Sequence, residues 1–470
     1  MAMEALRKWK PAARGGTPAT PSELSAGLPG GGHVTSCMLV ACLASCAAGT
    51  TLGYASTAAA SIEREPWYTL ERRPPDNRWF ADLLLLVAAP SSLVSAGLLL
   101  DLVGNRTTLL LSAFGLLGSW MTLLFCTNTY SLFMARIMAG VFLGALSSCV
   151  GLHVADICPT RCRALFVGLV EVTRSAGILL SYVLGYWCSW EVHAGLCVLP
   201  PLLLMCLQSR VLDSPQWLMR HGRMREASAA LYRLYGAEVP AEFKLRGSVE
   251  IRKAWDGVPA STSARRLALG LLVQLVPCLS CAQLILLRAV QVMEALVADK
   301  RAAHVAALWL LSGHVVVSAA STSVTWLAGR RHLLLLSAIM VAACITTLRP
   351  LDHLAFSTWS REAAPEETNW PGVGAVGLLL TSYSLGLGHV PALLVAEMLP
   401  DQVRAVGAAG AWTARWLLAF MLVHLDAWAL AAARYGDSVL FCVVLVFAAA
   451  VVFALVPETE GCSLASIQGH

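Results

Sequence analysis

Long apolar segments, each close to twenty residues and separated by polar stretches, recur along the whole chain. A helix rises about 1.5 Å per residue, so a segment of about 20 residues crosses a hydrocarbon core about 30 Å thick. Of the 470 residues, 57% are hydrophobic and only 13% are charged, which leaves too few charges for the surface of a soluble protein. The sequence therefore predicts an all-α membrane protein with many spanning helices rather than a soluble bundle of buried helices.

Twelve such segments are predicted, in two sets of six around a basic stretch. They lie at residues 35–58, 79–100, 107–126, 130–155, 164–186, 192–211, 267–296, 303–327, 332–348, 373–396, 403–430 and 438–456, and we number them spans 1 to 12. The stretch between the sets holds ten Lys or Arg, and its apolar spacing predicts surface helices, with a solvated linker as the alternative after Gly236. The predicted parts are an N-terminal tail (1–34), a first half (35–212), a linker (213–266), a second half (267–457) and a C-terminal tail (458–470).

The distribution of Lys and Arg, which favours the tail and the linker, predicts that both termini and the linker face the cytosol. The N-terminal tail has no acidic dileucine pattern, which favours the plasma membrane over an intracellular vesicle. A net charge of +5 is too small to indicate a nucleic-acid partner, so the expected partners are membrane lipid and a small-molecule solute. The dispersed histidines and cysteines have neither catalytic nor metal-binding spacing, and we expect no enzyme activity, metal or cofactor.

One short motif occurs twice, about half the chain apart, each time between two apolar segments. Residues 156–164 read DICPTRCRA and residues 397–405 read EMLPDQVRA, so both follow the pattern acid-x-x-Pro-x-x-x-Arg-Ala. A second pair, GNR at 104–106 and GRR at 329–331, falls at matching places in the two sets. Two related halves joined by charged hinges are typical of secondary transporters.

These motifs resemble those of sugar transporters of the major facilitator superfamily, which include facilitative glucose and trehalose transporters. The two hinges match the family pattern Glu-x-x-Pro-x-x-x-Arg-Gly, and residues 213–218 and 457–467 match its linker entry and its closing motif. The resemblance covers roughly residues 39–467. It implies the major facilitator fold, with twelve transmembrane helices in two six-helix halves. It also implies carriage of a hexose or a small saccharide such as trehalose by alternating access, either by facilitated diffusion or coupled to protons.

The resemblance further implies a gating charge network, expected on the cytosolic side only. A carboxylate at the end of one helix faces an arginine on its neighbour, and such pairs hold the halves together until the site opens inward. The alternative is that these residues are topology anchors with no part in the motion. The network consists of Arg106, Asp156, Arg163, Arg330, Glu397, Arg404 and Glu458.

The candidate substrate site departs from the family pattern. Pro277 and Cys278 stand where the family has two glutamines, and Ala392 stands where it has a stacking tryptophan. Sugar hydroxyls need amide groups and an aromatic face, so these losses put sugar recognition in question. The candidate substrate-binding residues are Glu171, Arg174, Gln283, His389, Pro391, Arg415 and Trp416.

Two arginines inside spans are equivalent in the repeat, because Arg174 and Arg415 each lie eighteen residues after the acid of their hinge. Glu171 lies on the same helix face as Arg174 and can neutralise it, whereas Arg415 has no acid three or four residues away. Either these are a structural ion pair and a snorkelling arginine, or the cavity carries net positive charge and prefers an acidic or zwitterionic solute. Besides a sugar carrier, the sequence therefore leaves open an organic anion carrier and a non-transporting relative that acts as a sensor or scaffold.

Overall fold

The structure is a computed structural model, and almost all of what it describes is helical. It describes residues 32–62, 65, 78–95, 99–158, 160–235, 260–280, 282–325, 329–348, 367–399, 404–432 and 437–456. The hinge prolines Pro159 and Pro400, the linker from Gly236 to Pro259, and Glu458 of the gating charge network lie outside these residues.

The first half consists of seven described helices, followed by two short helices of the linker. They are α1 (Gly32–Ile62), α2 (Arg78–Val94), α3 (Leu100–Leu124), α4 (Thr129–Ile157), α5 (Thr160–Trp187), α6 (Trp190–Cys197), α7 (Leu199–Leu207), α8 (Pro215–Arg220) and α9 (Met224–Tyr235). The predicted surface helices of the linker are thus present up to Tyr235. Their buried residues Trp217, Leu218, Ala227 and Ala230 form a small apolar cluster of their own.

The second half consists of nine described helices. They are α10 (Ala260–Leu275), α11 (Ala282–Leu287), α12 (Ala289–Glu294), α13 (Lys300–Val324), α14 (Arg330–Leu348), α15 (Trp370–Leu385), α16 (Val390–Met398), α17 (Arg404–Ala432) and α18 (Asp437–Leu455). Among the described residues, eight spans are long and apolar enough to cross a membrane. Spans 6, 7 and 10 are each built from more than one helix, so the described helices follow the predicted order of twelve spans.

The broken spans have identifiable causes in the sequence. Span 6 keeps helical dihedral angles at Val198, and only its hydrogen-bond pattern is interrupted, because Pro200 and Pro201 each lack a backbone donor at the start of α7. Span 7 leaves helical geometry around Pro277 and again at Arg288, whose φ of −130° and ψ of 34° are not helical. Span 10 breaks between α15 and α16, where Pro391 stands in the first turn of α16. In transporters, irregular backbone at membrane depth is tolerated where it lines a cavity.

Glycines are required at two kinds of position in the fold, in left-handed turns and at a close helix crossing. Gly104 and Gly329, the first residues of GNR and GRR, have φ of 82° and 69°, a left-handed conformation that favours glycine. Residues 101–106, which lie between the predicted spans 2 and 3, therefore belong to α3, which begins at Leu100 and has a kink at Gly104. Where α1 crosses α5, a Cβ on Gly177 would lie 2.3 Å from the Cys46 carbonyl oxygen, so only glycine permits this close approach.

Candidate functional site

At one face of the bundle the two hinge motifs exchange ion pairs between the halves. Arg404 Nη1, at the start of α17 in the second half, lies 3.0 Å from Asp156 Oδ1 at the end of α4 in the first half. Arg163 Nη1 of α5 lies 3.7 Å from Glu397 Oε1 of α16. All four side chains are buried, and each arginine contacts the acid of the opposite half. We call this end of the bundle the hinge face; it is the predicted cytosolic side.

The Asp156–Arg404 pair is held by polar side chains from two other segments. Asp156 Oδ2 accepts hydrogen bonds from Asn105 Nδ2 at 3.4 Å and from Ser214 Oγ at 2.8 Å. Arg404 Nη1 also donates to Gln216 Oε1 at 3.1 Å. The linker entry therefore contacts both members of a pair that joins the two halves, and GNR reaches Asp156 through its asparagine.

The described contacts of Arg106, the arginine of GNR, are with residues close to the linker entry and not with Asp156. Its carbonyl oxygen accepts a hydrogen bond from Gln208 Nε2 at 2.5 Å. Burial raises the pKa of the Asp213 carboxyl, while the positive charges of Arg106 and Arg223 act on this pKa in the opposite direction. Arg106 thus supports the linker entry electrostatically.

The two arginines of GRR make different contacts in the second half. Arg330 contacts Glu397, so this carboxylate faces two arginines, one from each half. Arg331 Nη1 donates to the carbonyl oxygens of Phe453 at 3.2 Å and Val456 at 2.8 Å, at the C-terminal end of α18. A cation there satisfies free carbonyls and complements the helix dipole.

In the middle of span 5, Glu171 and Arg174 form the predicted pair. Arg174 Nε lies 2.8 Å from Glu171 Oε2, and Nη2 contacts the same oxygen. Directly after Arg174, Ser175 Oγ lies 3.0 Å from His314 Nε2 of span 8, and His314 Nδ1 lies 2.5 Å from Ser384 Oγ of span 10. The pair is thus followed by a polar chain that connects the first half to the second.

Arg415 lies among residues from spans 7, 10 and 11. Its Nη2 donates to Gln283 Oε1 at 3.0 Å and to Tyr383 Oη at 3.4 Å, and its guanidinium carbon lies 5.2 Å from the centre of the Trp412 ring. Trp416 stacks on Trp412 with ring centres 5.8 Å apart. Arg415 is only 1% exposed, which excludes a snorkelling arginine at the surface of the bundle.

His389 and Pro391 have other described contacts. His389 Nε2 lies 2.6 Å from Thr325 Oγ1 of span 8, and Pro391 stands in the first turn of α16, which begins at Val390. The described contacts thus bring together Gln283, Arg415 and, through Trp412, Trp416.

A small cavity lies between the halves, between the hinge face and the Glu171–Arg174 pair. Its volume of about 40 Å³ is room for about three water molecules and is too small for a sugar. Glu171, Arg174, Gln274 and Trp412 line it, together with small residues of spans 1, 4, 10 and 11. Gln274 and Trp412 were not among the residues predicted for the site, although an amide and an aromatic ring inside predicted spans were signals in the sequence.

The opposite face also carries an ion pair between the halves, which corrects the expectation of such pairs on the cytosolic side only. Arg288 Nη2, at the second break of span 7, lies 2.8 Å from Asp82 Oδ1 of α2. Nearby, Ser56 Oγ donates to Gln291 Oε1 at 2.6 Å. Asp82 and Arg288 interrupt apolar spans, and this was the signal in the sequence. Among the described residues, ion pairs therefore join the two halves at both faces, with a small cavity between them.

Comparisons with known proteins agree with this architecture. The family model described as "Sugar (and other) transporter" matches residues 37–469. Sugar transporter ERD6-like 6 of Arabidopsis thaliana is 25% identical, over 93% of this chain and 90% of its own. Solute carrier family 2, facilitated glucose transporter member 6, of Homo sapiens is 28% identical, over 89% of this chain and 87% of its own.

The fold is also similar to a solved structure. The proton:xylose symporter XylE, a major facilitator superfamily protein bound to 6-bromo-6-deoxy-D-glucose, superposes with a TM-score of 0.78 at 18% identity. The match covers 93% of this chain and 99% of that one. At this identity the likeness supports the fold alone. Together with the family model, which spans most of the sequence, it identifies the chain as a multi-pass membrane protein that belongs to the sugar transporter family.

Proposed function

We propose that the protein moves a small sugar, a hexose or a small saccharide, across the plasma membrane by alternating access. The observation that carries the proposal is the exchange of buried ion pairs between the halves at the hinge face, matched by Asp82–Arg288 at the opposite face. If one set separates while the other stays closed, the central cavity opens to one side at a time.

The cavity supports a polyhydroxylated solute although the family's usual residues are replaced. The amide oxygen of Gln274 is buried and has no hydrogen-bond partner among the described residues, so it is available to a sugar hydroxyl. Trp412 lines the same cavity and supplies an aromatic side chain there. The amide and the ring that sugar recognition needs are thus available, but at positions other than those the resemblance implies.

Facilitated diffusion is the mode that the buried acids favour. Four carboxylates are buried among the described residues, and Asp82, Asp156, Glu171 and Glu397 each contact an arginine. Each of these four acids already has a cation beside it, so none stands out as a separate site for a coupling proton. We therefore propose that sugar moves down its own gradient without protons.

Uptake by purified protein in liposomes tests this proposal. Labelled hexoses and disaccharides are offered with and without a proton gradient, and empty liposomes give the background. We expect saturable uptake of at least one sugar, exchange against the same sugar inside, and no accumulation when the gradient is applied. Accumulation driven by the proton gradient would contradict facilitated diffusion, and no uptake of any sugar would favour a sensor or scaffold.

A further inference from the structure

The surroundings of Arg415 contain more hydrogen-bond donors than acceptors. Arg415 Nε and Nη1, Gln283 Nε2 and Trp416 Nε1 are all buried and have no hydrogen-bond partner among the residues that the structure describes. Buried polar groups are normally satisfied, so these four atoms need an explanation. Since guanidinium and indole groups can only donate, whatever satisfies them must be rich in acceptors.

The balance of charge around Arg415 is a second, independent reason to expect an anionic ligand there. In the described centre of the bundle, Arg174 is neutralised by Glu171, with which it shares two contacts. Arg415 makes its described hydrogen bonds to the neutral groups of Gln283 and Tyr383. The Glu171 carboxylate also acts on Arg415 electrostatically, but it is already paired with Arg174, so two buried arginines share one described carboxylate here. An excess buried cation is costly in a low-dielectric interior, so this position favours an anionic group.

The geometry also connects this position to the solute cavity. The Arg415 guanidinium lies over the ring of Trp412, and Trp412 lines the cavity. The cavity must widen to admit any sugar, and residues on the broken spans 7 and 10 surround Arg415. A ring held against Trp412 with its hydroxyls towards Gln274 would bring one substituent close to Arg415.

We propose that the solute is a sugar acid, a monosaccharide that carries a carboxylate, and that Arg415 binds this carboxylate. Gln283 Nε2 contributes a second donor, while Gln274 and Trp412 bind the sugar ring. This inference rests on the proposed function, because it narrows the solute of the same cavity. A charged hydrogen bond to a carboxylate is stronger than one to a hydroxyl, which makes the carboxylate of the solute the main determinant of specificity.

The test compares D-glucose, D-glucuronate and the neutral methyl ester of D-glucuronate, by ligand-induced thermal stabilisation of the purified protein in lipid nanodiscs. We expect the parent protein to bind glucuronate about 10- to 100-fold more tightly than either neutral sugar. Arg415→Gln should remove this preference, so that glucuronate binds no more tightly than its methyl ester. Arg225→Gln, which removes an exposed arginine of α9, should behave like the parent.

The outcomes separate the inference from the proposed function. Binding of glucose and glucuronate with equal affinity, or an unchanged preference in Arg415→Gln, would overturn the sugar acid and leave the sugar carrier intact. Binding of a non-sugar acid such as succinate, with no sugar bound, would overturn both. If Arg415→Gln does not fold, the comparison of glucuronate with its methyl ester in the parent protein decides, since these two differ in charge at one carboxyl group.

Discussion

Replacing Arg404 by alanine should open the hinge face. Arg404 Nη1 lies 3.0 Å from Asp156 Oδ1, and both side chains are buried. At an effective dielectric constant of about 20, this distance corresponds to an attraction of about 5.5 kcal/mol. The loss of one member of a buried pair costs about 3–5 kcal/mol. The substitution mainly destabilises the conformation in which the hinge face is closed, because Asp156 becomes hydrated once this face opens.

A change of about 3 kcal/mol alters the ratio of two conformations about 150-fold, which is enough to reverse a balance of a few kcal/mol. Arg163→Ala should have a smaller effect, because Glu397 keeps its contact with Arg330 and the Arg163–Glu397 distance is longer, 3.7 Å. The structure thus predicts an order of effects for two arginines that are equivalent in the repeat.

The assay is the rate at which a thiol reagent modifies Gly151→Cys from the hinge face. Gly151 lines the cavity, and a Cβ there meets no atom within 4 Å, so the reporter fits. The chain has 15 cysteines, and the rate of the parent without the reporter is therefore subtracted. We expect a rate at least tenfold higher with Arg404→Ala and a smaller rise with Arg163→Ala. Equal rates in all three proteins would refute the view that these pairs hold the hinge face closed.

Three further perturbations have defined outcomes. Asp82→Asn weakens the ion pair of the opposite face and should lower the modification rate of the Gly151→Cys reporter from the hinge face; a rise would assign Asp82 to another role. Gly177→Ala should lower the free energy of unfolding by about 1–3 kcal/mol, because the α1–α5 crossing leaves no room for a methyl group. Gly313→Ala is the control: a Cβ there meets no atom within 4 Å, so this change should be neutral or stabilising in the same thermal unfolding measurement. An epitope inserted at residues 350–371 should bind antibody on intact cells, and labelling only after permeabilisation would reverse the predicted orientation.

The sequence was sufficient for the fold because the relevant signals are local. A span reveals itself by its length and apolar composition, and a hinge by its proline and charges, so twelve spans in two halves could be predicted without contacts. The breaks in spans 7 and 10 were harder, because Pro277 and Pro391 stop a helix only where neighbouring residues supply other partners for the freed backbone groups. The kink at Gly104 likewise requires a φ of 82°, which the sequence permits but does not specify.

The candidate site could be predicted only in part, since its contacts join residues far apart in the chain. Glu171 and Arg174 were paired correctly because they share a helix face. The partners of Arg415, which are Gln283 and Tyr383, come from two other spans, and no spacing rule connects them. Asp82 and Arg288 stood out as charges in apolar segments, yet only the folded structure, in which they lie 2.8 Å apart, identifies them as a pair.

Alternating access itself is tested most directly by measuring distances across both faces in the same preparation. Spin labels introduced as unnatural amino acids replace exposed side chains at helix ends, Leu102 and Leu455 at the hinge face and Tyr130 and Trp370 at the opposite face. Electron–electron double resonance then gives both distance distributions with and without a transported sugar. If the protein works by alternating access, the two faces change in opposite directions, one closing as the other opens. Arg404→Ala should then favour the longer distance across the hinge face. Faces that open together, or distances that no sugar changes, would contradict alternating access.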